Sequence, residues 1–393
     1  MFHPSEVELS DTTRKILDDV ERIKPSRLVF DSLSELRLLA GSPLRYRRQI
    51  LAPKHYFEGQ QCTVLLLDDL TGSSHDLQVQ SIAHGVLLLR QDTPDFGKQR
   101  RRISVLKYRG KEFRGGFHDY VIKRGGLEVF PRLIAAEHRS EPRQGQLTCG
   151  VEGLDRLLGG GLDRGTSTLV TGAAGTGKTS VCALFAHAAA ERGETSTLVI
   201  FDEGESTLLG RMRALGVDLQ KHVSEGRIII RQVDPGAWSP GEFSDAVRLA
   251  ESRDHSSLVI VDSLNGYLHS MPQERFLIIQ LHEILTYLSQ KGVATILINA
   301  QLGLIGQMKS EVDASYLADA VVLTRYFELE GEVRTAVSVV KKRGSDHERS
   351  IRELTFAGGQ ISVGETLRDY HGVLTGVPKR VASNSSHPTD GNP

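Results

Sequence analysis

The chain has 393 residues, enough for two to three domains with sizeable cores. A hydrophobic fraction of 39%, a charged fraction of 25% and a formal net charge of -1 exclude the overall basic field of a general nucleic-acid binder. Cys62, Cys149 and Cys182 are scattered, with no CxxC or Cys/His cluster, so neither a disulfide framework nor a zinc site is expected. The opening MFHPSEVELSD has no apolar leader, and no apolar run approaches the ~20 residues of a membrane helix. The expected location is therefore the cytoplasm, with no membrane partner.

Taken in chain order, the elements repeat. RLVFDSLSEL at 27–36 and SLVIVDSLNGY at 257–267 are both apolar strands that end in Asp-Ser-Leu. Asp31 matches Asp262, Thr63 matches Thr295, Lys107 matches Lys341 and Gly125 matches Gly358, at spacings of 231, 232, 234 and 233 residues. Four ordered matches at a nearly constant spacing mean a duplicated domain. Counting back from Lys178 by that spacing reaches a position before Met1. The first copy, 1–135, is therefore expected to lack its P-loop, its opening strands and the helix between them. Such a copy would carry an apolar edge and an uncovered sheet face.

Residues 136–145 are polar with Pro and Gly and read as a linker. The second copy, 146–365, alternates short apolar strands (168–171, 198–201, 228–231, 258–261 and 295–298) with helices, the first at 179–191. That alternation predicts an α/β fold with a mostly parallel sheet buried between helices. Residues 366–393 form a tail, expected to be disordered after about 380.

Gly172, Ala173, Ala174, Gly175, Thr176, Gly177, Lys178 and Thr179 make a full G-x-x-x-x-G-K-T, followed by Ser180. It follows a strand and opens a helix, the context in which such a loop cradles phosphates on backbone N–H groups. Lys178 would reach the β- and γ-phosphates of ATP, and the Thr179 hydroxyl would ligate Mg2+. Asp262, ending the strand LVIVD, is the expected second Mg2+ carboxylate. Asp202 and Glu203 follow the strand LVIF directly and would face the phosphates. Glu203 is the candidate base for the attacking water and Asp202 its partner. Gln301 closes ILINAQ, where an amide could sense the γ-phosphate. Lys341 and Arg343 alternate with Lys342 and so share one strand face. Two adjacent cations need an anion, and a neighbouring subunit's ATP would supply one.

Together GVEGLDRLLGGGLDRGTSTLVTGAAGTGKT, the acidic pair and the K-x-R-G strand resemble the circadian-clock KaiC family, a RecA-like group of P-loop ATPases. The resemblance covers nearly all the chain outside the tail. It implies a two-domain subunit in a hexameric ring, with ATP between neighbours, ATP hydrolysis, and autophosphorylation of Ser and Thr by the second half. It also implies clock or signalling partners. Carried over, Asp202 and Glu203 match the family's paired catalytic glutamates, and Lys341, Arg343 and His347 match its trans contacts. The chain departs in having Asp at the first position of the pair. In Asp313–Asp319, Ser315 sits where the phosphoserine would be, but Tyr316 replaces the neighbouring Thr. Two other readings stay open. One is a RecA/RadA-like recombination motor, against which the stretch 303–313 offers only Lys309 as a basic residue. The other is a scaffold that only docks partners.

Overall fold

The computed structural model describes residues 9–40, 42–58, 61–69, 78–95, 97–140, 144–234, 236–269, 276–303 and 314–380. It divides into two compact units, Met1–Leu88 with Ser104–Gly116, and Leu89–Ile103 with Phe117–Pro393.

The first unit contains α1 (Leu9–Ile23), β1 (Arg27–Asp31), α2 (Leu33–Ala40), α3 (Pro43–Glu58), β2 (Thr63–Leu67) and α4 (Gln78–Ile82). Strands β3 (Gly85–Asp92) and β4 (Arg100–Tyr108) each begin in one unit and end in the other. Its small core gathers Leu33, Ala40, Tyr46, Ile50 and Ile82.

The second unit opens with the hairpin β5 (His118–Lys123) and β6 (Gly126–Phe130), then β7 (Gln146–Leu147), α5 (Glu152–Leu157) and β8 (Leu162–Asp163). There follow β9 (Ser167–Ala173), α6 (Lys178–Glu191), β10 (Thr195–Ile200), α7 (Glu205–Ala214), α8 (Leu219–Ser224), β11 (Ile228–Gln232) and α9 (Pro240–Ser252). Next come β12 (Ser256–Asp262), α10 (Leu264–His269), α11 (Leu277–Gln290) and β13 (Ala294–Gln301). Strands β14 (Ala320–Leu329), β15 (Glu332–Lys342), β16 (Ile351–Ala357) and β17 (Gln360–Thr366) precede the pair β18 (Tyr370–His371) and β19 (Lys379–Arg380).

One nine-stranded sheet organises this unit, in the order β11-β10-β12-β13-β9-β14-β15-β16-β17. The strands from β11 to β14 pair in parallel, and β15 to β17 continue antiparallel. The central strands are apolar along their whole length because helices cover both faces. On one face Ile260, Ile296 and Ile298 pack with Val181, Cys182, Phe185 and Ala186 of α6. On the other, Val259, Val261 and Leu297 pack with α9, α10 and α11 through Phe243, Tyr267 and Leu281. The mostly parallel α/β fold is thus as expected.

The duplication is visible in strand register. In the first unit Asp31 lies beside Leu67 in a parallel pair. In the second, Asp262 lies beside Ile298 in a parallel pair of the same register. The hairpin pairing Lys123 with Gly126 likewise matches that pairing Ala357 with Gln360.

Grouped by contacts, the two units divide at Leu88, Ile103 and Gly116. Leu89–Ile103 and the chain from Phe117 onward group with the ATPase-like unit. Polar contacts explain why. The Gly241 amide, in the first turn of α9, donates to Asp119 Oδ2 at 2.7 Å. The Lys98 amide donates to the Gly236 carbonyl at 2.8 Å. Ala135–His138 forms a 3-10 turn whose first amide donates to Glu283 Oε2 on α11 at 3.1 Å, and the Ser140 hydroxyl donates to the Gln290 carbonyl at 2.8 Å. Ala135 and Ser140 are thus held to α11 by hydrogen bonds. Residues after 380 lie outside the described residues, while 366–380 includes the β18–β19 pair.

Candidate nucleotide site

The P-loop joins the carboxyl end of β9 to the first turn of α6. Gly175 and Gly177 have φ of +83° and +81°, which L side chains rarely adopt. Space forbids a side chain as well as angle. A Cβ on Gly177 would lie 2.0 Å from the Phe356 ring, and one on Gly172 would lie 2.2 Å from the Thr324 carbonyl. The loop is further held by the Thr176 hydroxyl, 2.7 Å from that of Thr324. The Lys178 ammonium donates to the Ala173 carbonyl at 2.6 Å, so it folds back into the concavity of the loop. Its burial pushes its pKa below the usual lysine value, with the Asp262 carboxylate acting in the opposite direction. The half-buried Thr179 begins α6 beside buried Ser180.

The Thr179 hydroxyl donates to Asp262 Oδ2 at 2.7 Å, bringing two hard oxygen donors together beside Lys178. Asp262 ends β12, two strands from β9. Burial pushes its carboxyl above the ordinary aspartate range; the Thr179 hydroxyl opposes this, and the nearby Asp202 and Glu203 carboxylates add to it. All three acids therefore share one field. The Ser263 hydroxyl donates to Asp202 Oδ2 at 2.5 Å, and accepts from the Gly266 amide at 3.0 Å. Glu203 Oε2 pairs with Arg211 on α7 at 2.8 Å. This cluster of acids around a threonine hydroxyl would lose much of its mutual repulsion to a divalent cation.

Gln301 pairs in register with Ala173, which places it next to the P-loop. Its Oε1 is buried and has no hydrogen-bond partner among the described residues. Lys341 and Arg343 do lie on one side, with Lys342 on the other. The Lys341 ammonium donates to the carbonyls of Ser315 and Ala318 at 2.8 and 2.6 Å. The exposed Arg343 guanidinium sits 3.7 Å from Asp319 Oδ1. Lys342, buried opposite, donates to the carbonyls of Leu158 and Gly161 and lies 3.4 Å from Asp163. The anionic surface that these cations meet is thus partly within the same chain. His347 is half-buried on the loop after β15. Ser315 is half-buried in the turn closed by the Leu317 amide on the Ala314 carbonyl, 3.1 Å, and Tyr316 beside it is exposed. Asp313 and Lys309 lie outside the described residues.

With this geometry in hand, comparison with known proteins is decisive. A family model described as the KaiC ATPase matches residues 4–134 and 147–368. The chain belongs to the KaiC family. It is 26% identical over 302 residues to the circadian clock oscillator protein KaiC of Picosynechococcus sp., covering 77% of this chain and 58% of that protein. It is 26% identical over 385 residues to the circadian clock protein KaiC3 of Synechocystis sp., covering 96% and 75%. With the oscillator protein KaiC of Parathermosynechococcus lividus it shares 24% over 378 residues, covering 95% and 70%. The chain thus spans little more than half the length of the first relative and about three quarters of the second. Both family segments fit a duplicated fold, and the second carries an ATP-binding P-loop domain. Among the described residues, no helix is long and apolar enough to cross a membrane.

In this KaiC-family domain several site residues escaped sequence reasoning. Phe356 on β16 and Tyr326 on β14 press on Gly177 and Gly175, but single aromatics on strands give no motif. Arg211 comes from a helix with no marker. Ser263 did leave a trace, since Asp-Ser-Leu recurs in both copies.

Proposed function

We propose that the second domain hydrolyses ATP, with the γ-phosphoryl group positioned by Lys178 and the P-loop amides. The observation that carries this is the Thr179–Asp262 pair at 2.7 Å beside a buried Lys178. A bound Mg2+ would be held by Thr179 and Asp262 and would neutralise charge on the β- and γ-phosphate oxygens. Glu203 accepts a proton from, or orients, the attacking water, and Asp202 holds the acidic pair in place through Ser263. For Glu203 to act, Arg211 must release or share its carboxylate. Gln301 brings an unpartnered amide oxygen to the γ-phosphate side of the loop.

The family relationship supports a ring of subunits, six by analogy with the two-domain members, with ATP between neighbours. Arg343 and His347, on the rim after β15, would face a neighbour's ATP. Ser315 is the candidate acceptor for serine autokinase activity, in a cytoplasmic timing or signalling role alongside partner proteins of that system. Incubation of the full chain with γ-labelled ATP and Mg2+ tests this. Phosphate release is expected, label on Ser315 would show the kinase step, and Lys178→Ala abolishes both. Turnover that survives in Lys178→Ala sinks the site assignment.

A further inference from the structure

Away from the nucleotide, the far end of α6 and the short α8 bring two histidines and a carboxylate together. His187 and Glu191 are four residues apart on α6 and so project from one face. His222 on α8 points at the same spot. One donor atom from each residue lies within 4.8 Å of the others. The imidazoles of His187 and His222 have centroids 5.1 Å apart with their planes at 71°, so they converge edge to face rather than stack.

The buried member is unsatisfied. His222 is 1% exposed, yet neither ring nitrogen makes a hydrogen bond among the described residues. Its Nε2 is 2.9 Å from Glu191 Oε1, a contact that does not form a hydrogen bond. Its Nδ1 lies 3.6 Å from Glu225 Oε2. Buried polar nitrogens normally find partners, and one lacking them calls for a ligand.

We propose that His187, Glu191 and His222 bind a divalent transition metal, of which Zn2+ best fits the donor set, with water in the fourth position. Two imidazoles and a carboxylate are borderline donors suited to Zn2+ and poorly suited to Mg2+ or Ca2+. Glu225 stands where an outer carboxylate orients a ligating histidine. Zn2+ bonds of about 2.0–2.1 Å need the donors closer than they now stand. Glu191 is exposed and His187 half-buried, so both can close in while His222 stays fixed. The Lys221 ammonium lies 3.3 Å from Glu191 and the Arg227 guanidinium 3.3 Å from Glu225; both side chains are largely exposed and can swing to water. Sequence reading missed the site because it lacks cysteine and splits its ligands over two helices. Its effect would be to clamp α8 to the helix whose first turn binds ATP.

The test uses the full chain, stripped with chelator and titrated with Zn2+ by calorimetry and with Co2+ by visible absorption. One Zn2+ per chain is expected, with Co2+ bands of a nitrogen and oxygen site and no thiolate charge-transfer band. His187→Gln and Glu191→Gln should each weaken Zn2+ by at least about 10-fold. Both residues are at least partly exposed, so both variants should stay folded by circular dichroism. Asp262→Asn, which removes the other cation-binding carboxylate, leaves this titration unchanged. Equal Zn2+ binding in the wild type, His187→Gln and Glu191→Gln, or no stoichiometric binding at all, overturns the proposal.

Discussion

Lys341 offers the sharpest test, because one substitution separates two roles. A contact in trans would act only on turnover, whereas the observed bonds to Ser315 and Ala318 act on folding. Each hydrogen bond from a charged donor is worth about 1.5–3 kcal/mol. Two such bonds would total about 3–6 kcal/mol, but Lys341 is only half-buried and water can replace part of each, so about 2–3 kcal/mol is expected for Lys341→Ala. In a unit of this size that lowers the melting temperature by about 4–10 °C. The chain's single tryptophan, Trp238, packs beside the core of this unit and reports its unfolding in guanidinium. ATP turnover is measured on the same sample. A stability change below about 0.5 kcal/mol with collapsed turnover would refute the structural role and assign the lysine to a neighbour's nucleotide. The first copy supports the structural reading, since Lys107 makes the same kind of contact, to the carbonyls of Gln80 and Ser81 at 2.9 and 3.1 Å.

Asp262→Asn should melt higher than the wild type without nucleotide at neutral pH. Its carboxyl is raised in the fold, so its stabilising share is full below the ordinary carboxylate range and lost as pH rises through the raised value. The difference should vanish in acid, and melting curves that keep a constant offset at every pH would contradict the argument. Gly172→Ala places a Cβ 2.2 Å from a backbone oxygen and should cost about 1–3 kcal/mol or prevent folding. By contrast Gly210→Ala, inside α7 with open space around it, should stabilise by about 0.5–1 kcal/mol, and denaturant midpoints compare the two. Hydrogen exchange should protect the β1–β2 amides less than those of β12–β13; equal protection would show that the exposed apolar face does not weaken the first strand pair.

The site was legible where chemistry demands one residue type at a fixed spacing. Gly175, Gly177, Lys178 and Thr179 cannot be replaced without losing the loop, so they show in the sequence. Asp262 and the acidic pair show because they end strands, and the carboxyl ends of a parallel sheet share one edge. Contacts made across the sheet carried no such mark. Nothing in TFAGG announces that Phe356 covers Gly177, and nothing in RMRA announces that Arg211 holds Glu203. Spacing brings Lys341 and Arg343 together but cannot say whether the groups they meet belong to the same chain. Composition is equally silent on Ser140, a polar residue that the structure docks on the Gln290 carbonyl.

The bare face of the first copy follows from the duplication itself. By register, Val29, Leu65 and Leu67 stand where Ile260, Ile296 and Ile298 stand in the second copy. The latter three are 2%, 1% and 1% exposed, because α6 lies over them. The former are 53%, 50% and 45% exposed. Apolar area left in water contributes nothing at about 25 cal/mol per Å². The β1–β2 pair therefore gains less from apolar burial on this face than β12–β13, which α6 covers. In the second copy α6 both opens with the P-loop lysine and covers one face of the sheet, so the nucleotide site and the sheet's cover rest on the same helix.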